Sequence, residues 1–291
     1  MSAEVPTVRG PVSADDIGVT LLHEHVFIAS PEGIANHNHT WGEPWWDEEK
    51  RVAAAIRDLR ELRDLGVGTI VDPTAFGLSR NVHRLRRVNA EVDINIVVCT
   101  GIYAFIEVPA YLKYRSAEGL ADILRRDIDP LILDAIALTH KATGVPVMVH
   151  TNAAAKSGLV ALAELTARGV DPIRIVIAHA GDSNDMEYLR EIGDSGAILG
   201  CDRFNIPSFN ADEDRIATLL KLLDEGYIDR IHLSHDAATF NDFMQHNPPF
   251  AGAAPNYTHI HREVLPKLLE AGVTQEQIDE MLVANARRFL A

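Results

Sequence analysis

The chain has little cysteine, no long apolar run and a shortage of positive charge, and each shortage removes a class of function. Only two cysteines occur in 291 residues, Cys99 and Cys201. They stand in separate apolar segments without a CxxC spacing, which excludes a disulfide framework or a zinc ribbon and leaves two buried thiols. No stretch approaches the roughly 18 apolar residues of a membrane span, and the opening "MSAEVPTVRGPVSADDIG" lacks the apolar core of a signal peptide. A cytoplasmic protein is the expectation. Lys and Arg number 27 against 42 Asp and Glu, a net charge of −15, which disfavours nucleic acid and anionic membranes and leaves a small molecule as the partner. Neither a GxSxG elbow nor a GxxxxGK loop is present, so serine-hydrolase and P-loop chemistry find no support.

What is present alternates. Short runs rich in Val and Ile recur between longer helical patterns, the signature of βα units around a parallel sheet, and the length suits a single α/β barrel domain over residues 1–291. Seven strands are expected: "VTLLHEHVF", "GTIVDP", "INIVVCTGIY", "VPVMVHT", "IRIVIAHA", "AILGCD" and "RIHLSHDA". Between them lie amphipathic helices such as "DEEKRVAAAIRDLRELRDLG" and "DEDRIATLLKLLDEG", each with an acidic first turn and a closing glycine.

Ionisable residues collect where these strands end. In "LLHEHVF" a period of two puts His23 and His25 on one face and Glu24 on the other. His150, His179 and Asp236 each follow an apolar strand of the same style, and the C-terminal strand ends of a parallel sheet are where ligands bind. Four histidines and a carboxylate at four strand ends suit zinc or another borderline transition metal. The remaining histidines take structural readings. "NHNH" (His37, His39) lies in an Asn-rich loop, and His259 and His261 start a helix, where a two-residue spacing does not share one face. His235 points away from Asp236 and packs against helices, and His83, His140, His232 and His246 are given no role. Trp41, Trp45 and Trp46 follow strand one near the mouth of the site, where two readings stand: they shield the substrate from water, or they pack against the first helix. The stretch from Ala238 to Asn256, with three phenylalanines and three prolines, forms a loop over the pocket that sets substrate choice.

Taken together, "TLLHEHVFI", "VDPTAFGLSRN", "GIY", "GVPVMVHT", "IAHAGDSND", "GCDRFN" and "LSHDA" resemble, in order, the segments of the phosphotriesterase family of the amidohydrolase superfamily, and within it the phosphotriesterase-like lactonases. The resemblance implies a TIM-type (β/α)8 barrel and a homodimer. It implies a metal-dependent hydrolase of lactones, with organophosphate triesters as a secondary substrate class and a metal-activated hydroxide as nucleophile. His23, His25 and Asp236 would bind the more buried ion and His150 and His179 the more exposed one, with zinc first and cobalt, manganese or iron as alternatives. Asp236 would also take a proton, as the catalytic residue. Tyr103 and Arg203 match substrate-pocket positions, although a salt bridge holding its own loop is an equal reading of Arg203.

The sequence departs from that family at the fourth strand. The family bridges its metals with a carboxylated lysine or a glutamate there, but residues 129–144, "DPLILDAIALTHKATG", read as one helix. A strand, a helix and their loops need roughly twenty positions or more, and sixteen cannot hold both. Lys113, Lys141 and Lys156 do not end apolar strands. The fourth strand is therefore expected to be missing or shortened and the bridge absent. One or two ions per chain, and an active hydrolase or an impaired homologue that binds one metal or a small ligand without efficient turnover, stay open as alternatives.

Overall fold

The computed structural model of the chain describes residues 3–31, 33–41, 46–75, 77–101, 131–242 and 256–291. A short antiparallel hairpin, which the sequence reading does not anticipate, comes first: β1 (Glu4–Thr7) pairs with β2 (Gly10–Ser13). The first expected strand is split into β3 (Val19–Leu21) and β4 (His25–Ile28). Then follow α1 (Glu48–Asp64), β5 (Val67–Asp72), α2 (Val82–Ala90) and β6 (Asn95–Val98). After residue 130 come α3 (Leu131–Thr143), β7 (Val147–His150), α4 (Ser157–Ala167), β8 (Ile175–Ala178), α5 (Met186–Asp194), β9 (Ile198–Cys201) and α6 (Asp212–Asp224). β10 (Ile231–Leu233) and β11 (Ala238–Asn241) precede the C-terminal helical turns.

All pairings after the hairpin are parallel: β7 with β8, β8 with β9, β9 with β10, β3 with β5 and β5 with β6. The split in strand one has a cause in its partners. β3 pairs with β5, whereas β4 turns to pair with β11. Between them the Glu24 N–H reaches the Val71 carbonyl and the His23 carbonyl accepts from Asp236 N–H at 3.0 Å. Strand one thus joins both halves of a TIM-type α/β barrel. Among the described residues no strand lies between β6 and β7, and residues 102–130 lie outside them. The expected helix over 129–144 is found as α3, and Gly144 closes it at φ +70°.

Alternation along the strands divides the core in two. Outward residues such as Ile70, Ile96, Ile175, Ile177, Leu199, Ile231 and Leu233 pack against Leu59, Leu85, Leu189 and Leu219 of the helices. Inward residues Leu22, Val71, Val97, Val176 and Ile198 form a second cluster, sealed by Val5 of the hairpin and Phe289 of the last helix. Each such fully buried aliphatic side chain contributes about 1.5–3 kcal/mol by leaving water. The hairpin and the C-terminus thus plug the end of the barrel opposite the functional one.

Several local expectations need correction. His37 and His39 are exposed, but they lie in helical turns, Gly33–His37 and Asn38–Trp41, rather than in a loop. The start of the 238–256 stretch is strand β11, with Phe240 fully buried; Phe243, Phe250 and the prolines lie outside the described residues. Cys201 is buried, whereas Cys99 is only partly so. Burial pushes both thiols up to about 12, so neither is a thiolate near neutrality. Trp46 is buried edge-on to Phe27 and Phe240, with Arg84 over its ring, while Trp45 and the side chain of Trp41 lie outside the described residues.

Candidate metal centre

The carboxyl ends of β3, β7, β8 and β10, with the first residue of β4, bring His23, His25, His150, His179 and Asp236 together. His23 Nε2 and His25 Nε2 lie 3.3 and 3.4 Å from the same oxygen, Oδ1 of Asp236. His179 Nε2 lies 2.9 Å from His150 Nδ1. Tyr103 and Lys113 are outside the described residues.

The outer nitrogens of three imidazoles are tied off, and this decides their tautomers. Asp202 accepts from His23 Nδ1 at 3.0 Å and from His179 Nδ1 at 2.7 Å, and it also takes the His179 backbone N–H at 3.1 Å. Thr74 gives its hydroxyl proton to Asp72, so its oxygen accepts from His25 Nδ1 at 2.8 Å. With each Nδ1 a donor, the Nε2 lone pairs of His23, His25 and His179 face inward. Two lone pairs and a carboxylate oxygen converging in a buried space call for a cation between them. His23 with His25 and Asp236 is such a group; His23, His179 and Asp202 also gather within reach of one another, but there Asp202 already accepts both Nδ1 protons. The donor set of imidazole and carboxylate fits zinc or a similar ion.

The electrostatics agree with that requirement. Burial works against a charge on His23, but Asp236 and Asp202 outweigh it and hold the imidazole up at about 9. Burial likewise opposes ionisation of Asp236, yet His23, His25, His179 and Arg203 keep its carboxyl well below the usual range. A proton on His23 thus fills the role a metal would take. His150 is the exposed member of the set; the part of its ring that is enclosed, with His179 and Arg203 nearby, pushes it down to about 3, so it is a neutral base.

Arg203 adopts the salt-bridged arrangement. Its Nε donates to Asp236 Oδ2 at 3.0 Å and its Nη1 to Asp182 Oδ2 at 2.9 Å, while Asp182 also pairs with Arg215 at 2.6 Å. The described lysines stand elsewhere: Lys156 Nζ pairs with Asp185 Oδ2 at 2.7 Å, and Lys141 packs against the outer Gly169. Backbone strain concentrates at this face. His179, Arg203 and Asp236 all have left-handed φ, at 66°, 62° and 55°, without being glycine. For His179 that turn swings onto the inner face a side chain that strict alternation after Ala178 would send outward. Nothing in the sequence signals these turns. The anchors Asp72 and Asp202 are legible only as strand-end acids, and Thr74 has no sequence signal at all.

A parallel α/β barrel with imidazoles and carboxylates gathered at its strand ends is the architecture of a barrel enzyme. The sequence profile of the phosphotriesterase family matches residues 3–132 and 129–290. A phosphotriesterase homology protein of Mycobacterium tuberculosis is 39% identical over 320 residues, covering 98% of this chain and 97% of that protein. An aryldialkylphosphatase of Saccharolobus solfataricus is 32% identical, covering 99% of each. The solved structure of the phosphotriesterase from Mycobacterium tuberculosis superposes with a TM-score of 0.85 at 38% identity, over 99% of this chain and 98% of that one. The chain belongs to the phosphotriesterase family, and it is a hydrolase of that family. The family profile matches in two pieces that meet at 129–132, just ahead of α3. The 320 aligned positions exceed the 291 of this chain, so the relative carries segments that this chain lacks.

Proposed function

We propose that this chain is a metal-dependent hydrolase that opens lactones and, as a secondary activity, cleaves organophosphate triesters. The observation that carries the reading is the convergence of His23 and His25 on one oxygen of Asp236, with their outer nitrogens already engaged. His23, His25 and Asp236 would hold the more buried ion, and His150 and His179 the more exposed one. When bound, the metal supplies Lewis acidity that makes water acidic near neutral pH and polarises a carbonyl or phosphoryl oxygen. Asp236, kept ionised by its cationic neighbours, takes a proton on a carboxylate oxygen. Asp202 and Thr74 fix the imidazole rings, and Arg203 restrains Asp236 through its second oxygen. Asp182 and Phe209 hold the guanidinium of Arg203 beside the pocket, in reach of a substrate's polar edge.

A second reading has its own support: an impaired homologue that holds one ion and turns over poorly. The interrupted family match and the placement of Lys141 and Lys156 away from the cluster favour it. The test is hydrolysis of an aliphatic lactone and of paraoxon by protein purified without chelator and supplied with Zn²⁺, Co²⁺ or Mn²⁺. Sustained metal-dependent turnover, lost at least about a hundredfold in Asp236→Asn, supports the hydrolase. Rates equal to those of buffer with metal bound would leave the second reading standing.

A further inference from the structure

We propose that Glu24 is the positioning residue of this site, holding Asp236 in its strained conformation from behind the strand that carries both histidines. The assignment rests on the metal-centre reading and names a residue that touches no ligand. Glu24 points to the opposite face from His23 and His25 and is fully buried, with no lysine or arginine beside its carboxylate among the described residues. Three N–H groups balance it instead. Its Oε1 accepts from the His235 backbone at 2.8 Å and from His235 Nδ1 at 2.7 Å, and its Oε2 accepts from the Ala237 backbone at 3.1 Å. These donors flank Asp236, whose own N–H is bonded to the His23 carbonyl and whose φ is +55°.

A non-glycine residue stays in that region only where its surroundings over-determine it. Here the residues on both sides of Asp236 are clamped by one carboxylate, so the Asp236 side chain is aimed inward. The clamp is braced further out. Ile260 N–H donates to His235 Nε2 at 2.9 Å, which fixes the histidine proton on Nδ1, and the Tyr257 hydroxyl bonds the His25 carbonyl while accepting from Thr239 N–H at 2.9 Å. One short segment therefore carries two inward imidazoles and the outward anchor of their carboxylate partner. A glutamine at 24 has one acceptor and one amide, so its amide must meet a backbone or imidazole N–H, donor against donor.

The experiment is Co²⁺ binding to chelator-stripped protein, followed by visible absorption and by competition with a chromophoric chelator, in the wild type, Glu24→Gln and His235→Asn. Removing a group that orients metal ligands weakens affinity by about 10- to 100-fold. Glu24→Gln is expected to fall in that range and to change the Co²⁺ absorption band. His235→Asn, which keeps a donor for Glu24 but leaves Ile260 N–H without an acceptor, is expected to lose less. A purely structural Glu24 would lower the thermal midpoint of the metal-free protein and leave the affinity and band of the folded protein unchanged; that result overturns the assignment. If Glu24→Gln does not fold, His235→Asn decides: wild-type affinity and band overturn the assignment, and weakened binding supports it. A wild type that binds no Co²⁺ removes the metal-centre reading, and the assignment with it, whereas a binding wild type matched by both variants removes the assignment alone.

Discussion

His232 offers a test of the barrel interior that is independent of any metal. Its neighbours Ile231 and Leu233 face the helices, so alternation sends the imidazole inward, in register with Gly200. It is 2% exposed, and neither ring nitrogen makes a hydrogen bond of good geometry among the described residues. Burial pushes it down to about 3, against the field of Asp202. Above pH 6.5 the residue is neutral in both folded and unfolded chains and adds no pH dependence. As pH falls from 6.5 towards 3 the unfolded chain takes up a proton that the folded chain refuses, so stability falls with it. One proton costs about 1.4 kcal/mol per pH unit, so the loss between pH 7 and pH 5 is about 2 kcal/mol. His232→Leu, close in volume and without a titratable group, removes that loss. Urea unfolding of both proteins, without metal, at pH 7 and pH 5 isolates the residue, because every other titrating group cancels in the difference. The stability gap in favour of the leucine variant should widen by about 2 kcal/mol on going to pH 5. Parallel pH profiles would refute the reasoning and mean that His232 is protonated, or solvated, inside the barrel.

Three further outcomes follow from the site. Asp202→Asn can accept only one of the two imidazole protons now bound at 3.0 and 2.7 Å, so metal affinity measured by chelator competition should fall about 10- to 100-fold. Arg203→Met leaves Asp182 and Asp236 each short of one partner, and urea unfolding should show a loss of about 1–3 kcal/mol. Plasma mass spectrometry across a chelator series should find two classes of ion, the weaker one lost first from His150 and His179. A single plateau of two ions held equally tightly would mean that another group bridges them.

Much of the site could be read from the sequence because its residues sit at the ends of strands whose apolar runs announce themselves. His23, His25, His150, His179 and Asp236 follow from that pattern, and the helix expected over 129–144 is found as α3. The rest depends on partners distant in the chain. The split of strand one arises because β3 and β4 pair with different strands, which a continuous run of Leu, His and Val does not reveal. The hairpin is built from "EVPT" and "GPVS", whose prolines and glycine argue locally against strand. Glu24 and Thr74 acquire their roles only when His235 and His25 arrive beside them. The left-handed turns at His179, Arg203 and Asp236 carry no glycine to mark them.

Strand one has a consequence for the whole chain as a polymer. His23 and His25 belong to its first tenth and Asp236 to its last quarter, so a cation held by all three is a cross-link between remote parts of the sequence. It closes a loop of about two hundred residues, and in the chain-entropy account such a closure removes freedom mainly from the unfolded state, as a long-range disulfide does. With so little cysteine, the chain would owe to its metal the kind of covalent-like staple that its thiols do not provide.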